Sequence, residues 1–196
     1  FNALDGEMTA LDGAFFQAKS DGRLYPVAPE AKTPFAVVIP FDPTIEIDLD
    51  EEIRLPALQD ALDNAVPSKN LFYAIRVDGQ FAEIRVRSVP RQTKPYPPLV
   101  EVTAHQPEFE YQEVRGTLVG FRFPDYTTGI NVPGYHLHFV SADRTVGGHV
   151  LAFKMASGRL AVDVTSQFHM ALPKDAAFLR ADLAKDSADD IAKAEK

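Results

Sequence analysis

Three of the five histidines in this 196-residue chain fall inside two short blocks, Tyr135-His-Leu-His-Phe139 and Gly147-Gly-His-Val150. On a strand, alternation puts His136 and His138 on one face with Cα atoms about 6–7 Å apart, a spacing from which two imidazoles can converge on one ion. The Gly-rich turn before His149 can return the next strand beside the first and add a third imidazole. Three neutral nitrogens with an open position form the donor set of a catalytic divalent metal. The competing reading is that the imidazoles brace a hairpin through hydrogen bonds. Three in one hairpin make a costly polar cluster unless something accepts their lone pairs, so the metal reading is preferred. His105 and His169 stand alone and read as structural or surface residues.

The chain has no cysteine, which excludes thiolate ligands and disulfides. Zinc suits an all-nitrogen donor set, with iron, nickel and cobalt left open. A net charge of −8 and the absence of a basic stripe argue against nucleic acid and anionic membrane surfaces as partners. No apolar run approaches the roughly 18–20 residues of a membrane span. A soluble, cytoplasmic protein is expected. An exported form stays open, because the chain starts at Phe1 and an upstream segment, and with it any signal peptide, is expected to be missing.

A metal that binds an anionic substrate through two oxygens still needs a cation for placement and a group to move a proton. Arg85 and Arg87 share a strand face with Glu83, pointing into a cleft or, equally well, into solvent. Arg122, between Phe121 and Phe123, and Arg144, in a turn, are weaker choices. Glu7 stands among small and apolar residues in Leu4-Asp-Gly-Glu-Met8, where burial would suit it to carry a proton near neutrality. A turn-stabilising acid is the ordinary reading of that position. Glu195, in a charged tail, carries less information still.

The elements that must position these groups follow from periodicity and turn chemistry. Phe15–Lys19 and Gly22–Pro26 read as a hairpin, Phe35–Phe41 as a buried strand, and Leu55–Asn64 as an amphipathic helix. Leu71–Val77 and Gln80–Val86 read as a second hairpin over Asp78-Gly79. Pro90, Pro95, Pro97 and Pro98 impose an irregular linker. Phe109–Phe123, Tyr135–Ser141, Gly148–Ala156 and Arg159–Thr165 read as strands, with a turn at Ser157-Gly158. Ala176–Leu183 and Ala188–Ala194 read as terminal helices. The fold class is mixed α+β with two sheet-containing lobes and few helices. An N-terminal α/β lobe is expected over 1–93, and a mostly-β lobe with the metal-binding hairpin and terminal helices over 94–196.

Longer blocks narrow the reading. Phe1-Asn-Ala-Leu-Asp-Gly-Glu-Met8, Leu11-Asp-Gly13, Thr33-Pro-Phe-Ala36, Arg85-Val-Arg-Ser-Val-Pro-Arg-Gln92 and Pro95-Tyr-Pro-Pro-Leu99 are followed by Gly120-Phe-Arg-Phe-Pro124, Gly129-Ile-Asn-Val-Pro-Gly-Tyr-His-Leu-His-Phe139, Ser141-Ala-Asp-Arg144 and Gly147-Gly-His-Val150. In these blocks the chain resembles the acetolactate decarboxylases of bacterial acetoin synthesis along essentially its full length. The resemblance implies zinc on His136, His138 and His149, a substrate-facing Arg87, a catalytic Glu7 and a second glutamate best matched by Glu195. It further implies a homodimer with the metal in a cleft. The implied reaction converts 2-acetolactate to acetoin and carbon dioxide. In it the metal chelates the ketone and hydroxyl oxygens, Arg87 orients the carboxylate, and a glutamate protonates the enediolate. Two other classes use the same three histidines. A metal-dependent hydrolase or cupin-like oxygenase would turn over esters or lactones, or consume dioxygen; a non-enzymatic metal-binding protein would turn over nothing.

Overall fold

The computed structural model describes residues 1–33, 35–97 and 99–182. Short alternating segments near the start form a three-stranded antiparallel sheet in the order β1 (Glu7–Leu11), β2 (Ala14–Ala18), β3 (Leu24–Pro26). The hairpin expected over Phe15–Pro26 is present, with Ala18 opposite Leu24. The inward side chains Leu11, Ala18 and Leu24 pack with Val140 of the larger sheet. The edges of the two sheets are tied together as well: Ser88 Oγ donates to the Ala18 carbonyl at 2.7 Å, and the Leu24 N–H donates to the Thr145 carbonyl at 2.9 Å.

The larger sheet comprises β4 (Ile45–Leu49), β5 (Ile53–Arg54), β6 (Phe72–Arg87), β7 (Glu108–Phe123), β8 (Gly134–Ser141) and β9 (Gly147–Thr165). Its strands run β4-β9-β6-β7-β8, with β5 also on β9. Because β8 and β9 pair with each other as well, the four long strands close into a ring. Phe81 sits inside it with Phe139 and Phe153 edge-on at 5.3 and 5.6 Å. The expected helix forms as α1 (Leu55–Ala65), burying Leu58 and Leu62 at helical spacing against this core. Pro56 falls in its first turn, where an amide hydrogen would have had no helical acceptor. Two further helices, α2 (Leu99–Thr103) and α3 (Ala176–Arg180), are single turns. The architecture is α+β, two antiparallel sheets with few helices. β6, which precedes residue 93, lies between β7 and β9, which follow it. The helix expected over Ala188–Ala194 lies outside the described residues.

Three expectations about elements need correction. Asp78-Gly79 does not turn: β6 is one 16-residue strand. The break in hydrophobic phase, from Tyr73, Ile75, Val77 and Phe81 to Ile84 and Val86, comes from register shifts between Gln80 and Glu83. A bulge therefore does what a hairpin was expected to do. Gly79 is needed for close approach instead: a Cβ there would lie 2.4 Å from Met155 Sδ and 2.9 Å from the Ser157 carbonyl. Likewise Ser157-Gly158 lies within β9, which is continuous to Thr165. Phe35–Phe41 is an extended strap outside either sheet, with Val37 and Ile39 half-buried and Phe35 and Val38 exposed. Its far end is fixed where the Asp42 N–H donates to the buried Asp163 carboxylate at 2.8 Å.

Gly120 of β7 bears most directly on the histidine strand. A Cβ there would lie 1.9 Å from the His136 carbonyl oxygen, a backbone atom that only a shift of β8 could relieve. Gly120→Ala should destabilise the fold by about 1–3 kcal/mol. At roughly 2–4 °C per kcal/mol, thermal unfolding should show a clear drop in midpoint, and an unchanged midpoint would contradict this account.

Candidate metal centre

Antiparallel register builds the site. His138 on β8 lies opposite His149 on β9, and His149 lies opposite Arg87 on β6. Directly opposed residues project to the same face with Cα atoms about 4.5–5.5 Å apart, so two imidazoles and a guanidinium form one row across three strands. His136 joins them from two residues along β8. The ring centroids are 4.9, 4.7 and 5.6 Å apart, and one ligand nitrogen from each ring lies within 4.8 Å of the others. The Nε2 atoms of His136 and His138 are 3.0 Å apart. Metal bonds of 2.0–2.1 Å at tetrahedral angles would place nitrogens about 3.3 Å from one another, so this donor set fits a small divalent cation.

The smaller sheet completes the centre from the other side. The Met8 carbonyl lies 2.9 Å from His138 Nδ1, and the Thr9 hydroxyl 3.1 Å from it. A carbonyl only accepts, so Nδ1 carries the hydrogen and Nε2 presents its lone pair to the cluster. Glu7 places Oε2 3.7 Å from His138 Nε2, too long for a hydrogen bond yet close enough to be felt electrostatically. Glu7, Arg87, His136 and His138 all line one cavity of about 910 Å³, whose remaining wall is largely apolar and includes the 35–41 strap and Phe121.

Arg85 and Arg87 share a strand parity but not an environment. The ladder shifts register between Arg85 and Val86, where Leu151 of β9 is passed over. Arg85 lies out in solvent, 3.6 Å from Glu108. Arg87 is 2% exposed, lines the cavity, and donates from Nη1 to Gln106 Oε1 at 2.6 Å. Arg122 is bound up structurally: its Nε donates to Asp63 at 2.9 Å, and the Tyr135 hydroxyl donates to the same carboxylate at 2.6 Å. Arg144 is taken by Asp12 at 3.2 Å. His105 and His169 are exposed and stand outside the histidine cluster, His105 Nδ1 lying 3.2 Å from the Glu101 carbonyl. Glu195 lies outside the described residues.

Sequence reasoning missed Met8, Thr9 and Gln106. A strand drawn over Glu7–Leu11 would have put Thr9 on the same face as Glu7, so a signal existed there. Gln106 had none, because only the fold brings it to Arg87.

The Asp63 brace makes a testable statement about acid stability. Burial works to raise the Asp63 carboxyl, but hydrogen bonds from Lys69 and Tyr135 with the Arg122 charge outweigh it and hold the group below its ordinary value. A depressed carboxyl contributes stability that is complete above its unfolded value of about 3.9 and lost as pH falls through the lower folded value. The stability gap between wild type and Asp63→Asn, followed by urea unfolding, should therefore be constant near neutrality and shrink below about pH 4. A gap that does not narrow in acid would refute the assignment.

Comparison with known proteins bears on all of these elements at once. The alpha-acetolactate decarboxylase family model matches residues 1–185. The chain is 62% identical over 195 residues to an alpha-acetolactate decarboxylase of Methylococcus capsulatus, a match spanning 100% of this chain and 75% of that protein. It is 49% identical over 196 residues to one from Methanosarcina mazei, across 100% of this chain and 68% of the other. The crystal structure of alpha-acetolactate decarboxylase from Bacillus subtilis strain 168 superposes with a TM-score of 0.96 at 39% identity, covering 100% of this chain and 84% of that one. With both sheets, the histidine row and the cavity wall inside the matched span, the chain belongs to the alpha-acetolactate decarboxylase family.

Proposed function

We propose that this enzyme converts 2-acetolactate to acetoin and carbon dioxide at the cleft where Glu7 faces the His138–His149–Arg87 row. That juxtaposition carries the reading: a cation site, a buried guanidinium and a carboxyl group share one largely apolar cavity. His136, His138 and His149 would hold a divalent ion, with zinc the best match to three imidazoles and no thiolate. Bound there, the ion supplies Lewis-acid stabilisation of charge that develops on the substrate's ketone and hydroxyl oxygens.

The chain's own groups account for the rest. Arg87, held by Gln106, pairs with the substrate carboxylate and fixes the direction of the carbon–carbon bond that breaks. That bond's electron pair stays on the substrate as carbon dioxide leaves. Glu7, in its protonated form, delivers a proton to the carbon that lost the carboxylate, and solvent returns one to it. Because Glu7 approaches from one wall, the new stereocentre forms in one configuration. Glu195 is proposed as a second carboxyl group at the same site on the family pattern alone.

Incubation with racemic acetolactate, before and after chelation, should show carbon dioxide and a single acetoin enantiomer that vanish with the metal and return on reloading. His138→Ala should lose both bound metal and acetoin production. Glu7→Gln should retain metal, since no ligand is removed, while turnover falls by about 100-fold or more. An active, metal-free His138→Ala protein would end the proposal.

A further inference from the structure

The contact between Thr9 and His138 reaches beyond that reading while resting on its metal site. His138 has two sides. On one, the Met8 carbonyl and the Thr9 hydroxyl meet Nδ1 at 2.9 and 3.1 Å. On the other, Glu7 Oε2 stands 3.7 Å from Nε2, the nitrogen that faces His136. A neutral imidazole has one ring hydrogen, which can stand on either side. A hydrogen on Nε2 would cap the atom that must bind the cation.

We infer that Thr9 is a positioning residue for the metal: with the Met8 carbonyl it holds the His138 hydrogen on Nδ1 and so keeps Nε2 bare for the ion. A lone carbonyl restrains the ring from one direction. A second acceptor beside the same N–H restrains it from another and narrows the range of ring orientations. Thr9 is suited to that task. It is 3% exposed, so water has little access to replace its hydroxyl, and His138 itself is 9% exposed. Its branched Cβ restricts the rotamers from which the hydroxyl can point. Its place on β1 opposite Phe16 fixes the backbone on which it stands. Thr9 and Glu7 occupy the same face of β1, two residues apart, so one strand carries both the proposed proton donor and the group that orients the neighbouring imidazole.

The test reads metal binding and ring protonation, independently of turnover. Nitrogen-15 histidine spectra of the metal-stripped full chain should show His138 protonated at Nδ1. Zinc competition against a chromophoric chelator should show Thr9→Val binding about 10–100-fold more weakly than wild type, with Thr9→Ser restoring most of the loss. Valine matches threonine in shape, and the wild-type spectrum decides the tautomer even if the variant folds poorly. Wild-type His138 protonated at Nε2, or a folded Thr9→Val protein with undiminished zinc affinity, overturns the inference. A wild-type chain that binds no zinc overturns the metal site itself, a different result from a variant that binds as well as its parent.

Discussion

The register between β8, β9 and β6 is the constraint on which the site depends. It sets His138 opposite His149 and His149 opposite Arg87. A slip of one residue in either pairing would turn side chains to the opposite face and scatter the row. Register of this kind holds only where many other contacts specify it. The 16 residues of β6 paired on both sides, and the Phe81–Phe139–Phe153 cluster inside the ring, supply that specification. The hydrophobic interior is thus what gives the polar groups their geometry.

The two sheets divide the chemistry. The larger one carries the histidines and Arg87 on long, well-paired strands, where a ligand set is held to a narrow geometry. The smaller one contributes Glu7, the Met8 carbonyl and Thr9 from a single five-residue strand. The two sets of groups meet at one cavity, lined by Glu7 from the smaller sheet and by Arg87, His136 and His138 from the larger. α1 reaches the same region through Asp63, which joins Arg122 of β7 to Tyr135, the neighbour of His136. The helix therefore fixes the entry of the ligand strand as well as covering the core.

Much of this was legible in the residues themselves. The alternation around His136 and His138, the glycines before His149 and the apolar spacing of Leu55–Asn64 reflect local periods, and local periods survive in sequence. What failed were signals whose meaning depends on neighbours. Asp78-Gly79 has the composition of a turn, yet its glycine answers to the bulk of Met155, far along the chain. Phe35–Phe41 has the composition of a buried strand, yet its apolar side chains serve a cavity wall and no strand pairs with it among the described residues. Thr9 and Gln106 look like ordinary polar residues until the fold brings His138 and Arg87 to them.

The span between β1 and its imidazole partner has a consequence for biosynthesis. Thr9 and His138 are 129 residues apart along the chain, and closing so long a loop has an entropic cost that only the assembled sheets offset. On a ribosome, the first strand emerges well before the residue it must meet. The Thr9–His138 contact therefore forms only after β8, which carries the imidazole, has docked into the larger sheet.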